Sequence, residues 1–177
     1  MSIRRPSAAL AAIAFSLSAC GGGGIRSDPP ESPTLAQQIE TLEKTGQLPL
    51  LDRSSDIKGP DADNNGIRDD IDAWIAAQSI TDVQKKAAQQ AARVRQAELL
   101  VDLTNGPELD KLGDLSMASV KCLRLSFMPE YQRGYDLSKK IVAMTANTRE
   151  RAKKYLAYNR AVSGSSGRLP EGNTCEP

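Results

Sequence analysis

The sequence predicts an all-α fold, a small antiparallel helical bundle, and three observations favour this class. Apolar residues recur every three or four positions over several long segments, which is the period of a helix with one buried face. Two capping boxes, at residues 81–84 and 147–150, mark helix starts. No stretch of alternating apolar and polar residues is long enough to indicate a β-strand.

Six helices are predicted, each from its own start and stop signals. The clearest begins at the capping box of residues 81–84 and ends near Gly106. Pro129 ends the next long helix, and Gly164 ends the last. The predicted segments are 34–45, 71–75, 81–101, 107–128, 131–146 and 148–163.

The same spacing predicts which side chains face the core. Gly134 marks a potential break within the fifth segment. The predicted inward residues are Val83, Ala87, Ala91, Val94, Ala97 and Val101 in the third helix, Leu109, Leu112, Val120, Leu123 and Phe127 in the fourth, Tyr135, Ile141 and Val142 in the fifth, and Ala152, Tyr155, Leu156 and Val162 in the last.

One short acidic segment, residues 61–72, carries the clearest functional signal. It reads DADNNGIRDDID, with oxygen-bearing side chains at loop positions one, three, five, nine and twelve, and Gly66 at the bend. This is the spacing at which one loop wraps a Ca²⁺ ion, with position seven contributing its backbone carbonyl. The predicted ligands are Asp61, Asp63, Asn65, Ile67, Asp69 and Asp72.

The loop departs from an EF-hand at two positions. Position twelve is Asp72 rather than the longer Glu, and position eight is Arg68, where paired EF-hands have an aliphatic residue. The pattern therefore resembles dockerin loops and thrombospondin type 3 repeats more closely, although only one copy is present. The alternative is an acidic turn that complements a helix N-terminus without any metal.

The amino terminus predicts a lipoprotein signal peptide over residues 1–19. Arg4 and Arg5 precede a short apolar stretch over residues 8–17, which is too short to span a bilayer. Residues 17–20 read LSAC and resemble a bacterial lipobox. The resemblance implies cleavage before Cys20 and lipidation of its thiol and new amine. The alternative is an ordinary secretory signal with an incidental cysteine.

The rest of the chain divides into a linker, one domain and a tail. Residues 20–33 are rich in Gly and Pro and predict a tether, residues 34–164 predict the helical domain, and residues 165–177 form a tail. Residues 48–60, called the connector below, are turn-rich and precede the metal loop. Gly21 is not the Asp that resembles an inner-membrane retention signal, so we expect the periplasmic face of the outer membrane. Surface display is the alternative.

Composition argues against several function classes. Without Arg4 and Arg5 the mature chain would carry 21 basic and 22 acidic side chains, a balance that disfavours a nucleic-acid partner. The chain has no histidine, which removes the commonest general base and the usual zinc ligand. The carboxylates at 108, 110 and 114 lack an aromatic-rich cleft for sugar. We therefore predict that the protein is not an enzyme.

Three cysteines fit an oxidising compartment. If Cys20 carries lipid, Cys122 and Cys175 form an even pair, and we predict that a disulfide joins them and fixes the tail. A free Cys122 or an intermolecular bond is the alternative.

A basic cluster on the last helix comprises Arg149, Arg151, Lys153 and Lys154. It is interpreted as a solvated face, because runs of charge usually lie in water. The alternative is a contact with anionic lipid headgroups near the anchor.

The connector, the metal loop and residues 147–164 together resemble a family of uncharacterised Gram-negative lipoproteins. The resemblance spans about residues 35–164 and implies a lipoprotein with a single calcium loop and no known activity. The favoured hypothesis is a lipid-anchored, calcium-stabilised module that contacts an envelope partner. The alternatives are a hydrolase or accessory factor of the envelope that uses the bound metal, and a dockerin-like assembly module.

Overall fold

A computed structural model describes residues 32–177 of the chain, and every regular secondary-structure element within this range is an α-helix. The all-α prediction is confirmed there. The predicted signal peptide, Cys20 and most of the tether lie outside the described residues. The six helices are α1 (Leu35–Lys44), α2 (Asp69–Ala76), α3 (Asp82–Leu100), α4 (Gly106–Ser126), α5 (Tyr131–Thr145) and α6 (Arg149–Ala161).

Helix starts follow the capping signals of the sequence. Thr34 and Thr81 each form a capping box with the Gln three residues later. The Asn105 side chain caps α4, and Thr148 caps α6 by accepting from the Arg151 N–H at 3.2 Å. Local hydrogen bonding therefore accounts for where four of the six helices begin.

Helix α3 lies at the centre of the domain and packs against α2, α4, α5 and α6. Small side chains at Ala87, Ala88, Ala91 and Ala92 are buried along it, so neighbouring helices can approach closely. Ile67, the seventh residue of the acidic loop, is buried in the same core. The main core consists of Ile67, Ile71, Ile75, Ala87, Ala88, Ala91, Ala92, Cys122, Leu123, Phe127, Leu137, Ile141 and Met144.

Some of the predicted inward residues face water instead. Val83 is 64% exposed, Val120 is 44% exposed and Tyr135 is 59% exposed. In α6, Leu156 is exposed, whereas Tyr158 and Arg151 are buried. Among the helices of the described region, α6 packs mainly against α3, so only a narrow face of α6 is buried. The spacing of apolar residues alone therefore predicted the wrong side of α6 as the buried face.

Gly134 does not break α5, contrary to the potential break noted from the sequence. A Cβ at this position would lie 3.0 Å from Phe127 Cδ2 and 3.1 Å from the Leu123 carbonyl oxygen. The glycine therefore allows α5 to pack closely against the end of α4.

The C-terminal tail is held on the body by covalent and polar contacts. A disulfide joins Cys122, which is fully buried in α4, to Cys175. Gln90 of α3 donates to the Thr174 carbonyl at 2.9 Å and accepts from the Glu176 N–H at 3.2 Å. Lys121 donates to the Pro170 carbonyl at 2.7 Å.

The N-terminal arm, which consists of α1 and the residues up to the connector, makes fewer contacts with the helical body than the tail does. Helix α1 has no buried residue, and an ion pair of 2.8 Å links its Glu43 to Arg53 of the connector. Within residues 32–177, no helix combines the length and the apolar character needed to cross a bilayer.

Candidate metal centre

The acidic loop folds through two residues with positive φ, Asn64 at 56° and Gly66 at 80°. Glycine and asparagine adopt this conformation at lower cost than other residues. Short side-chain turns set the rest of the path. Asp63 Oδ1 accepts from the Asn65 N–H at 3.2 Å, and Asn65 Oδ1 accepts from the Ile67 N–H at 2.8 Å.

The fold brings three of the predicted ligands directly together. One carboxylate oxygen from each of Asp61, Asp63 and Asp69 lies within 4.8 Å of the other two, which is close enough for one cation to contact all three. Asp69, the first residue of α2, also closes the loop, because its N–H donates to the Pro60 carbonyl at 2.9 Å and its Oδ1 accepts from Ala62 at 3.0 Å. These three residues could form a metal site.

Asp61 provides the test of whether the loop fits a cation. Its side chain is 4% exposed, and Oδ2 lies 3.5 Å from Lys58 Nζ. Its Oδ1 is buried and accepts no hydrogen bond from any described residue. A buried anionic oxygen without a partner is costly, and a cation among the three carboxylates would remove that cost. The donor set therefore fits a metal ion.

Asn65 and Asp72 lie next to this group. The Asn65 amide nitrogen donates to Asp63 Oδ2 at 2.9 Å and to Asp72 Oδ2 at 3.1 Å, so it joins position three to position twelve. Gln89 of α3 holds the other oxygen of Asp72 at 2.8 Å. Ile67 is buried in the core, which fixes the backbone of position seven.

Asp69 and Asp70 do not cap α2, because the N-cap position is occupied by Arg68 and has no side-chain cap. Asp69, Asp70 and Asp72 lie in the first turn instead, where negative charge is favourable. This placement is also expected of an acidic turn that complements a helix N-terminus without any metal. The first turn by itself therefore does not distinguish a metal loop from such an acidic turn. The buried oxygen of Asp61 lies outside the helix and needs a separate explanation.

A cluster that the sequence did not predict lies behind the loop. We call it the arginine cluster, and it consists of Asp52, Arg68, Asp70, Asn147 and Arg151. Both arginine side chains are fully buried. The Arg68 guanidinium donates to both carboxylate oxygens of Asp70, at 2.6 and 2.9 Å, and to the Met144 carbonyl at 3.0 Å.

Arg151 forms the second half of the arginine cluster. It donates to Asp52 Oδ2 at 2.5 Å and to the backbone carbonyls of Asp52, Asp56 and Ile57 at 2.7, 2.7 and 3.2 Å. Asn147 Oδ1 accepts from Arg151 at 3.0 Å and from Arg68 at 3.3 Å. The solvated face predicted for α6 is therefore wrong for Arg151, because the connector supplies carbonyl and carboxylate partners for the donors of the buried guanidinium.

The arginine cluster sets the charge state of Asp52. Burial alone would raise the pKa of Asp52, but hydrogen bonds from the Arg151 guanidinium and from Ser54 outweigh it and lower the pKa to about 2. Asp52 is therefore ionised at neutral pH and pairs with the Arg151 cation.

A cavity of about 180 Å³ lies beside Asp61. Lys58, Arg93 and Gln96 contribute to its lining. Gln96 donates to the Lys58 carbonyl at 2.7 Å, and its buried Oε1 has no partner among the described residues. Sequence spacing placed Gln96 on a long helix and offered no signal that it would approach the loop.

Comparison of the chain with protein-family models, with curated proteins and with solved structures found no match.

Proposed function

We propose that this chain is a lipid-anchored protein of the bacterial cell envelope whose helical domain binds one Ca²⁺ ion in the loop of residues 61–72. In this proposal the domain is a small antiparallel bundle with a structural or partner-binding role, and it is not catalytic. The observation that carries the metal site is the buried, unpartnered Oδ1 of Asp61, which belongs to a group of three converging carboxylates.

The donor chemistry supports calcium over other metals. Carboxylate, amide and carbonyl oxygens are hard ligands that suit Ca²⁺ and Mg²⁺, whereas zinc and copper sites use imidazole or thiolate. The chain has no histidine, and Cys122 and Cys175 are joined to each other. The loop has six predicted oxygen donors, of which the structure brings the carboxylates of Asp61, Asp63 and Asp69 together. Ca²⁺ accepts irregular sets of oxygen ligands more readily than Mg²⁺, which requires a near-ideal octahedron.

The structural role is supported by the position of the loop. Its seventh residue enters the main core and its last third is the first turn of α2, so a cation there would fix α2 against α3 and α5. The proposed lipid anchor on Cys20 rests on the resemblance of residues 17–20 to a lipobox. The proposed location at the periplasmic face of the outer membrane rests on Gly21, which is not the Asp of an inner-membrane retention signal.

Thermal unfolding of the full chain in detergent, with excess EDTA and with excess Ca²⁺, tests the proposal. A site filled at 100 times its dissociation constant should add about 2.7 kcal/mol to the free energy of unfolding. Replacing Asp61 with Ala should abolish the gain, whereas Asp136→Ala, which removes an exposed carboxylate of α5, should preserve it. Equal melting temperatures of the unchanged chain in both buffers would contradict a structural calcium site.

The alternative, a metal-dependent hydrolase or accessory factor, requires an open coordination position beside a substrate cleft. The cavity beside Asp61 is the observation that favours it. At about 180 Å³ this cavity is smaller than the roughly 300–1,000 Å³ of most ligand pockets. Hydrolysis of a phosphate or acyl ester by the calcium-loaded chain, lost in Asp61→Ala, would establish this alternative.

A further inference from the structure

We propose that calcium binding in the loop and docking of the connector onto the helical body are coupled through the arginine cluster. This inference rests on the proposed calcium site and adds a regulated element to it, namely the connector that leads from the N-terminal arm to the loop. The coupling has two sides, one in the loop and one in the connector.

On the loop side, Arg68 and Asp70 occupy loop positions eight and ten, between residues predicted to bind the ion. Their side chains form a bidentate pair, and Arg68 is fully buried and bound to the Met144 carbonyl at 3.0 Å. The backbone that positions Asp69 and Asp72 therefore cannot shift without moving this pair. A buried ion pair tolerates such movement poorly, because loss of one partner leaves a buried charge.

On the connector side, most of the hydrogen bonds to the helical body go to the same arginine cluster, and the bond from Gln96 of α3 to the Lys58 carbonyl is an exception. The Asp52 N–H donates to Asp70 Oδ2 at 2.6 Å, and the Asp52 carbonyl accepts from Asn147 at 2.8 Å and from Arg151 at 2.7 Å. The Asp56 and Ile57 carbonyls accept from Arg151 as well. The connector has no helix of its own, so these contacts satisfy its polar backbone groups.

Gly59 shows how tightly the connector lies on both arginines. A Cβ at this position would fall 2.5 Å from Arg68 Cδ and 2.9 Å from Arg151 Nη2. The connector backbone thus packs directly on the two side chains, and a displacement of Arg68 is transmitted to it without an intervening gap.

The cation supplies the driving force. Without it, the carboxylates of Asp61, Asp63 and Asp69 lie within 4.8 Å of one another and repel. Asp61 follows directly on the connector, and the Pro60 carbonyl accepts from the Asp69 N–H, so separation of the carboxylates loosens the end of the connector. By thermodynamic reciprocity, a connector that docks less well must lower the affinity for calcium.

Equilibrium dialysis of ⁴⁵Ca²⁺ against the full chain in detergent tests the coupling with Asp52→Asn. This variant leaves all six predicted ligands intact and weakens the ion pair to Arg151. We expect its calcium dissociation constant to rise about 10-fold, within the usual range of coupling between sites. Asn147→Ala, which removes the bridge between the two arginines, should raise it similarly. The matched control is Asp136→Asn, which removes one exposed negative charge of α5 and should change nothing.

The reciprocal measurement uses the unchanged chain. Trypsin cleavage after Arg53, an exposed connector residue, should slow at least 5-fold when calcium is added, whereas cleavage after Arg168 in the tail should not change. If Asp52→Asn and Asn147→Ala fold, bind calcium as tightly as the unchanged chain and the cleavage rate is independent of calcium, the coupling is overturned. If the unchanged chain binds no calcium, the proposed function fails first and the coupling fails with it. Should both variants unfold, the cleavage measurement decides.

Discussion

At the scale of single residues, Asp61 is the side chain whose environment most needs a ligand. Its Oδ1 is buried without a hydrogen-bond donor from the described part of the chain, and Lys58 reaches only the other oxygen, at 3.5 Å. In the absence of metal this arrangement costs free energy, since the carboxylate has lost its water on one side. The same residue should therefore stabilise the loaded protein and destabilise the metal-free one.

This double role predicts that the effect of Asp61→Asn on the free energy of unfolding depends on whether calcium is bound. In EDTA the neutral amide relieves the repulsion with Asp63 and Asp69, so the free energy of unfolding should stay equal or rise by about 1 kcal/mol. In saturating calcium the variant should be less stable than the unchanged chain. Urea unfolding in both buffers measures the two values. Destabilisation of equal size in EDTA and in calcium would mean that Asp61 acts only through packing.

Asp52 predicts a dependence of stability on pH. The pKa of this carboxyl is lowered from 3.8 to about 2 in the folded chain, so its ionised form favours folding above pH 4. That contribution is lost as the pH falls from about 4 to about 2, and after allowance for solvent screening it amounts to about 1 kcal/mol. Acid unfolding of the unchanged chain and of Asp52→Asn should show a stability difference that shrinks across this window. A difference that stays constant down to pH 2 would contradict the ion pair with Arg151.

At the scale of elements, α6 shows which part of the fold the sequence determines. Its start follows from the Thr148 cap, one residue after the N-cap that the predicted capping box of residues 147–150 assigned to Asn147. The predicted box is wrong in detail, because the Asn147 side chain bonds Arg68, Arg151 and the Asp52 carbonyl instead. Its buried face follows from what it contacts. Tyr158 packs with Val94 and Leu112 in a second, smaller core, whereas Leu156 is 55% exposed.

The phase of α6 can be tested with two truncations. Tyr158→Ala should cost about 3 kcal/mol or more, because it empties a buried aromatic site, whereas Leu156→Ala should change the free energy of unfolding by less than about 0.5 kcal/mol. Urea unfolding of both variants compares them directly. A larger loss of stability in Leu156→Ala than in Tyr158→Ala would mean that α6 buries the face predicted from apolar spacing.

Only the part of the candidate site that is formed by residues close together in the sequence could be predicted. Positions one to twelve of the loop are contiguous, so their spacing alone indicated which oxygens could converge. The arginine cluster joins residues 52, 68, 70, 147 and 151, and three of its members are separated from the other two by about 80 residues or more. Such contacts depend on how the helices pack, and a buried arginine has no sequence signal that distinguishes it from an exposed one.

At the scale of the whole molecule, the proposed lipid anchor on Cys20 would hold the domain at a membrane. Cys20 and the tether lie outside the described residues, so the proposal for them rests on the lipobox-like residues 17–20. Replacing Cys20 with Ser removes the thiol that would accept the lipid. The variant should move from the membrane fraction to the soluble fraction of the envelope, as measured by fractionation and mass spectrometry. Retention of Cys20→Ser in the membrane fraction would contradict a lipid anchor at this position.

The disulfide at the C-terminal end of the chain should stabilise the fold whether or not Cys20 carries a lipid. The disulfide links Cys175 to Cys122 across 53 residues. Such a loop is worth about 4 kcal/mol in the chain-entropy account, and it keeps the tail on α3 and α4. The helical body is thus closed at its C-terminal end by a covalent bond, whereas its N-terminal connector depends on the arginine cluster and on the state of the loop.

Equilibrium dialysis of the full chain against ⁴⁵Ca²⁺, with Asp61→Asn in parallel, tests the proposed calcium site most directly. We expect one calcium ion bound per chain at saturation in the unchanged protein. The variant should bind at least 10-fold more weakly, because it loses a charged ligand of the loop. Absence of bound calcium at millimolar concentration, or equal binding by Asp61→Asn, would contradict a calcium site in residues 61–72.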